Sequence, residues 1–201
     1  MNLFISHFIS FWLSVLNTTR YPTKKASLTK IEMLPLVIFN QFLVLVGIYF
    51  MKDIIPHYSG TFLNWIVDFI WKYPCMMLTM NILFGSLHYM SHKIKWIYQN
   101  IHYIHHRLVI SDGMGAIYTH PLEQIFVNMM PIGIAIILFN ANIYLTHIFI
   151  ISISWGTVQG HTYYDNDKKF SKHILHHYHR MCNYDNSPYI VDRIIGTYRE
   201  K

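Results

Sequence analysis

Ile31 to Met51 is one long apolar run, with Glu32 and Lys52 near its edges. A segment of that length can cross a bilayer, and in lipid its backbone must satisfy its own hydrogen bonds, so it is helical. Phe62 to Leu87 repeats the pattern. It carries Asp68 and Lys72, four apart, a spacing that pairs them on one helix face. Pro74 inside it predicts a kink or a split. Leu122 to Trp155 is long enough to cross twice, with a turn near Asn140, Ala141 and Asn142 and a first half softened by Pro131 and Gly133. Met1 to Leu16 is apolar but interrupted by His7. It lacks the basic start and small-residue cleavage site of a signal peptide, and fits a short re-entrant or interfacial helix better than a span. The reading is an all-α, polytopic membrane protein with about four transmembrane helices. Residues 1–30 form an interfacial segment and basic loop, and residues 31–201 one membrane domain.

Charge supports that class. Only 13% of residues are charged, against about 25% in soluble domains. The formal net charge is +6. Arg20, Lys24, Lys25 and Lys30 lie before the first long run. Lys93, Lys95 and Arg107 follow the second, and Lys168, Lys169, Lys172, Arg180, Arg193 and Arg199 follow the last. By the positive-inside rule these segments face the cytosol. No basic run with interleaved aromatics argues for nucleic acid. Cys75 and Cys182 offer no disulfide framework.

The histidines carry the chemistry. H-x-x-H-H occurs twice, at His102, His105, His106 and at His173, His176, His177, and His88 and His92 precede the first copy. On a helix these spacings share a face, so each cluster is expected to aim two or three imidazoles at one point. Few carboxylates accompany them, which favours iron, zinc or copper over magnesium or calcium. With His161 the set is larger than one metal needs, so two metals are expected. If residues 122–155 form a hairpin, both histidine segments emerge on the cytosolic side as a helical cap. His7, His57, His147 and His179 read as surface or satisfied polar residues.

The order of these boxes resembles the fatty acid hydroxylase/sterol desaturase superfamily. His88 and His92 give H-x-x-x-H; the two H-x-x-H-H copies and the lone His161 between them follow in that family's order. His120-Pro121-Leu122-Glu123 is similar to its H-P-x-E segment, Asn183-Tyr184 to its N-Y-G, and Asp192 with Gly196-Thr197 to its D-x-x-x-G-T. His161 to Asp165 resembles a segment of C4-methylsterol oxidases. The resemblance covers roughly residues 80 to 200. It implies an integral membrane enzyme, of the endoplasmic reticulum in eukaryotes, with two non-haem irons and O2 as co-substrate. It implies a sterol or fatty acyl substrate and electrons from a separate donor such as cytochrome b5 and its reductase. It implies His88, His92, His102, His105, His106, His161, His173, His176 and His177 as metal ligands. Asp165 fills a position that some members give to another histidine. His120, Glu123, Asp165 and Asp192 are expected around the ligands, with His120 either orienting one or capping a helix.

Three residues depart from the family pattern: Asn81 where an acidic residue is common, Tyr89 where arginine is common, and Asp185 where glycine closes N-Y-G. They leave the substrate open. A non-catalytic membrane protein that binds or transports metal is the alternative from another class, and a catalytically dead scaffold is a third.

Overall fold

This computed structural model describes residues 3–18, 27–110, 112–162 and 171–200, and they form helices with no strand. In chain order these are α1 (Leu3–Thr18), α2 (Lys30–Met51), α3 (Phe62–Lys93) and α4 (Lys95–Asn100). Two 3-10 turns follow, His102–Arg107 and Gly113–Ile117. Then come α5 (Pro121–Leu138), α6 (Ile143–His161), α7 (Lys172–His179) and α8 (Ile190–Ile195).

Local chemistry sets the starts. Thr29 and Glu32 form a capping box at α2. Thr61 caps α3, Asn142 caps α6 through the Tyr144 and Leu145 amides, and Ser171 caps α7. Each supplies an acceptor to backbone donors that the first turn leaves unpaired. α5 opens with a π turn over Gln124–Met129, just ahead of Pro131. Proline has no N–H and crowds the carbonyl four residues back, and a widened turn accommodates both. Of the kink or split expected at Pro74, the split is absent: α3 runs through it. The expected Lys72–Asp68 pair forms at 3.0 Å.

The helices run between two ends. At the histidine end, Ser27 N–H donates to Ile110 O at 3.0 Å, and Lys30 pairs with Asp112 at 3.5 Å. At the far end, Ile143 N–H donates to Pro56 O at 3.0 Å. The chain therefore goes out along α2, back along α3, out along α5 and back along α6. The turn at residues 139–142 is where the sequence put it.

α1 packs against α6 through a polar seam. Ser6 Oγ meets His147 Nδ1 at 3.0 Å, His7 Nδ1 meets Ser154 Oγ at 2.9 Å, and Gln159 Nε2 donates to Ser14 Oγ at 3.3 Å. The pairings rise together in both helices, so α1 and α6 are parallel. Apolar clusters fill both ends. Phe11, Met33, Val37, Leu108 and Val158 pack at one, and Met76, Met80, Ala135, Leu145 and Phe149 at the other.

Large apolar side chains also point outward: Phe8, Leu13, Ile38, Phe42, Phe50, Ile70, Phe126 and Ile137 are all exposed. An apolar girdle of that extent is unusual for a soluble monomer and suits lipid contact. By length and composition, two helices among the described residues can cross a membrane, α2 and α5. α3 and α6 do not meet that measure; α3 carries Asn64, Asp68, Lys72 and Asn81, and α6 carries His147 and Gln159.

Candidate metal centre

Nine histidines converge at one end of the bundle in two groups. His88, His92, His102, His106 and His176 form one; His105, His161, His173 and His177 form the other. Within each group the ligand atoms lie within 4.8 Å of one another. All nine histidines expected as ligands are therefore gathered, from α3, the 3-10 turn at His102–Arg107, the end of α6, and α7.

The expectation that each H-x-x-H-H aims two or three imidazoles at one point is met by two from each box, and geometry explains why the third departs. Neighbouring side chains on an α-helix diverge by about 100°. On α7, His173 and His177 share a face and join one group, while His176 turns into the other. The first box is a 3-10 turn rather than an α-helix, and it too splits, with His105 leaving His102 and His106. Each box thus contributes to both histidine groups.

The outer nitrogens are tied down. His88 Nδ1 donates to Tyr184 O at 2.6 Å, His105 Nδ1 to Tyr118 O at 3.1 Å, and His161 Nδ1 to Thr157 O at 2.8 Å. His176 Nδ1 donates to Cys182 O and His177 Nδ1 to Leu108 O, both at 2.7 Å. His102 Nδ1 donates to Glu123 Oε1 at 2.8 Å. A carbonyl only accepts, so those rings keep their proton on Nδ1 and turn a bare Nε2 inward.

Burial lowers the pKa of His105. It pushes those of His106, His173, His176 and His177 well down, with the neighbouring imidazoles adding to it. Neutral imidazoles are ready ligands without competing protons.

The donor set fits a cation. His105 and His161 both hold their proton outward, yet their Nε2 atoms stand 3.2 Å apart. Two lone pairs at that distance repel unless positive charge lies between them. His88 Nε2 is buried, makes no hydrogen bond and belongs to the group of five. Nitrogen ligands without thiolates suit iron, zinc or copper.

The sequence profile of the fatty acid hydroxylase family matches residues 73–197. The chain belongs to that family. Among curated relatives, sphinganine C4-monooxygenase 2 of Arabidopsis thaliana is 32% identical over 137 residues, covering 61% of this chain and 52% of the relative. Methylsterol monooxygenase 1 of Gallus gallus is 28% identical over 192 residues, covering 82% and 62%. A very-long-chain aldehyde decarbonylase of Oryza sativa subsp. indica is 28% identical over 136 residues, covering 61% and 52%. The chain spans about half to three-fifths of the length of these relatives. No solved structure matches it significantly.

The four residues expected around the ligands of this fatty acid hydroxylase relative fare differently. Glu123 holds His102. His120 does not orient a ligand; its Nδ1 accepts from Leu122 N–H at 3.1 Å and caps α5. Asp192 reaches no histidine. Its carboxylate accepts from the Tyr184 and Asp185 amides at 2.9 and 2.8 Å and from Thr197 Oγ1 at 2.6 Å. It shapes the loop whose Tyr184 carbonyl takes the His88 proton. Asp165 lies outside the described residues.

Other supports went unread in the sequence. Asn40 Nδ2 donates to Ile117 O and Thr119 O, both at 2.8 Å, fixing the stretch that carries Tyr118. A buried asparagine in an apolar run is costly, which was the available signal. Gly85 lies against Asp185: a Cβ there would sit 2.4 Å from Asp185 Cβ. Only glycine lets α3 approach this loop so closely. Asn81 Nδ2 donates to Ser187 O at 2.9 Å in the same loop.

Asp185 gives a pH signature. Its Oδ2 accepts from Val191 N–H at 2.8 Å, and Oδ1 is buried without a hydrogen bond. Burial, and then the adjacent Asp192, push its pKa up. The fold thus favours the protonated form. That stability is complete below the ordinary carboxylate range and is lost as pH rises through the raised value. Asp185→Asn is expected to keep its melting temperature between pH 6 and pH 9 while the wild type falls by a few degrees. Parallel melting curves for the two proteins would refute this.

Proposed function

We propose that this chain is a membrane-bound, non-haem di-iron oxygenase. On this reading it hydroxylates, oxidises or desaturates a sterol or other lipid, using O2 and electrons from a separate protein such as cytochrome b5 with its reductase. The observation that carries the reading is a cavity of about 500 Å³. Its wall is mostly apolar, with Phe11, Ile48, Met80, Phe84, Ile136 and Ile153 along it, and it ends on His88, His105, His161 and His173. One apolar space therefore touches both histidine groups. A lipid tail fits such a wall, and a carbon of that tail would reach the centres.

The nine histidines would hold the irons, five at one centre and four at the other. Bound there, iron supplies activation of O2 and cleavage of a C–H bond. The chain supplies the rest. The Nδ1 contacts to carbonyls and to Glu123 orient the imidazoles before metal arrives. The apolar wall excludes water and aligns the substrate carbon.

In a bilayer, α2, α3, α5 and α6 would cross, with α1 beside α6. Lys93, Lys95, Arg107, Lys172, Arg180, Arg193 and Arg199 would then share the cytosolic side with the histidines. In a eukaryote that bilayer would be the endoplasmic reticulum. The relatives act on sphinganine, methylsterols or long-chain aldehydes by name, which suits a lipid substrate.

The test is turnover under 18O2 by detergent-purified, iron-loaded protein with a chemical reductant. Label in a lipid hydroxyl, or O2-dependent loss of two hydrogens, is expected. The proposal fails if loaded, reduced protein oxidises no lipid, or if His102→Ala and His176→Ala leave oxidation intact.

Gly156 tests the cavity separately. It lines the space and a Cβ there meets nothing within 4 Å. Gly156→Leu is expected to keep the metal and lower turnover on the order of 100-fold, since small misplacement of a reacting carbon costs that much. Unchanged turnover would remove the cavity from the account.

A further inference from the structure

Two amides of α5 stand on the mostly apolar wall of the cavity. Gln124 and Asn128 both line that space, and both belong to the π turn Gln124–Met129. Residues four apart share a helix face, and Asn128 Nδ2 donates to Gln124 Oε1 at 2.9 Å. Among the described residues this is the one side-chain hydrogen bond that either amide makes. Gln124 therefore keeps its whole NH2 group, and Asn128 keeps its carbonyl oxygen. Neither free atom is sealed inside the protein, so each can meet what fills the cavity. The inventory does not depend on direction: one bond between two amides leaves one NH2 and one carbonyl oxygen free, whichever amide donates. Polar side chains are costly in a helix that crosses a membrane, and those facing an internal cavity mark a ligand path. The bond between the two amides offsets only part of that cost.

Their place in the cavity matters too. Glu123 directly precedes Gln124, lines the same space and holds His102. Asn128 follows Glu123 by five residues, less than two helical turns. The pair thus stands at the histidine end of the cavity.

We propose that Gln124 and Asn128 together bind a hydroxyl group of the lipid in the cavity, and so set which of its carbons lies at the metal centres. The binding step stands apart from the oxygenase reading; the choice of carbon rests on it. A hydroxyl accepts from the free NH2 and donates to the free carbonyl oxygen through a single atom. A ketone or ester carbonyl only accepts and leaves the Asn128 oxygen unmet. A carboxylate also only accepts, and it would bring a second negative charge beside the buried Glu123. An ammonium only donates and leaves the Gln124 NH2 unmet. A secondary amide does both, but its trans geometry places N–H and C=O on opposite edges.

Binding is tested on the full chain in lipid nanodiscs, kept metal-free with chelator so that turnover plays no part. Octadecan-1-ol competes with octadecane for the cavity, and cholesterol with its 3-deoxy counterpart. Partition into the bilayer is common to every variant, so the ratio of alcohol to hydrocarbon bound is compared between variants. The key variant combines Gln124→Met with Asn128→Leu. It replaces both partners of one hydrogen bond by apolar side chains of similar shape, a change close to neutral for folding. For at least one lipid pair the wild-type ratio is expected to exceed that of the double variant about tenfold, the worth of one net hydrogen bond. The hydrocarbon should bind equally to both proteins. Gln124→Asn keeps an amide and is expected to retain part of the preference. Equal ratios in the wild type and the double variant, for both lipid pairs, would overturn the inference. A ratio lost in the double variant of a protein that oxidises nothing supports this inference while the oxygenase reading fails. In a protein that oxidises alkanols, octadecan-1-ol and octadecan-3-ol test the register. Products at the same distance from the hydroxyl support the inference, and products at the same distance from the far methyl end contradict it.

Discussion

Alanine at His161 is expected to cut bound metal from two ions per chain to one and to abolish lipid oxidation. His161 belongs to the group of four, which would fall to three ligands. Removing one imidazole also leaves His105 Nε2 without the ring it faces at 3.2 Å. The group of five shares no ligand with it, so its metal should stay. His102→Ala acts from the other side. It removes one of five ligands and strands the buried Glu123 carboxylate, which His102 Nδ1 holds at 2.8 Å. Loss of the contacts around a metal ligand commonly costs 10- to 100-fold in affinity, so Glu123→Ala alone should release metal from that centre at chelator concentrations the wild type resists. Metal analysis of the three variants against activity checks all of this. If His161→Ala keeps both ions, the division into two centres is wrong.

Asp192→Ala is expected to be the most damaging change outside the ligands. One buried carboxylate organises the Tyr184 and Asp185 amides and the Thr197 hydroxyl. Hydrogen bonds to a charged acceptor contribute about 1.5–3 kcal/mol each, and they are not additive. A net destabilisation of about 3 kcal/mol is expected, or roughly 6–12 °C in melting temperature for a chain of this size. The functional consequence runs through the loop. Tyr184 O then no longer fixes His88, so metal binding weakens along with stability. Asp192→Asn keeps one acceptor oxygen and should fall between. A melting temperature within 2 °C of the wild type for Asp192→Ala would contradict this role.

The helices and the clustering of the histidines were legible because their signals are periodic and local. Apolar runs with polar punctuation marked α2 and the α5–α6 hairpin, and histidine spacing marked the nine side chains that meet. What the sequence hid depended on three dimensions. The split of each box between centres follows from the divergence of His105 from His106 and of His176 from His177, which a count of boxes does not reveal. The carbonyls of Leu108, Tyr118, Thr157, Cys182 and Tyr184 carry no side-chain signature, although they fix five of the clustered histidines. Pro74 predicted a kink or a split in α3, and the split does not occur. Asn81 and Asp185, departures from the family pattern, tie down one loop through Ser187 O and Val191 N. His7 read as a surface or satisfied polar residue; it is buried, and its ring meets Ser154 Oγ and the Gln41 side chain.

The most direct measurement is metal content with Mössbauer spectroscopy on 57Fe-supplemented, detergent-purified protein. The account predicts two irons per chain, in nitrogen-rich sites that differ because one has five histidines and the other four. No iron, or a single tightly held zinc, would contradict it.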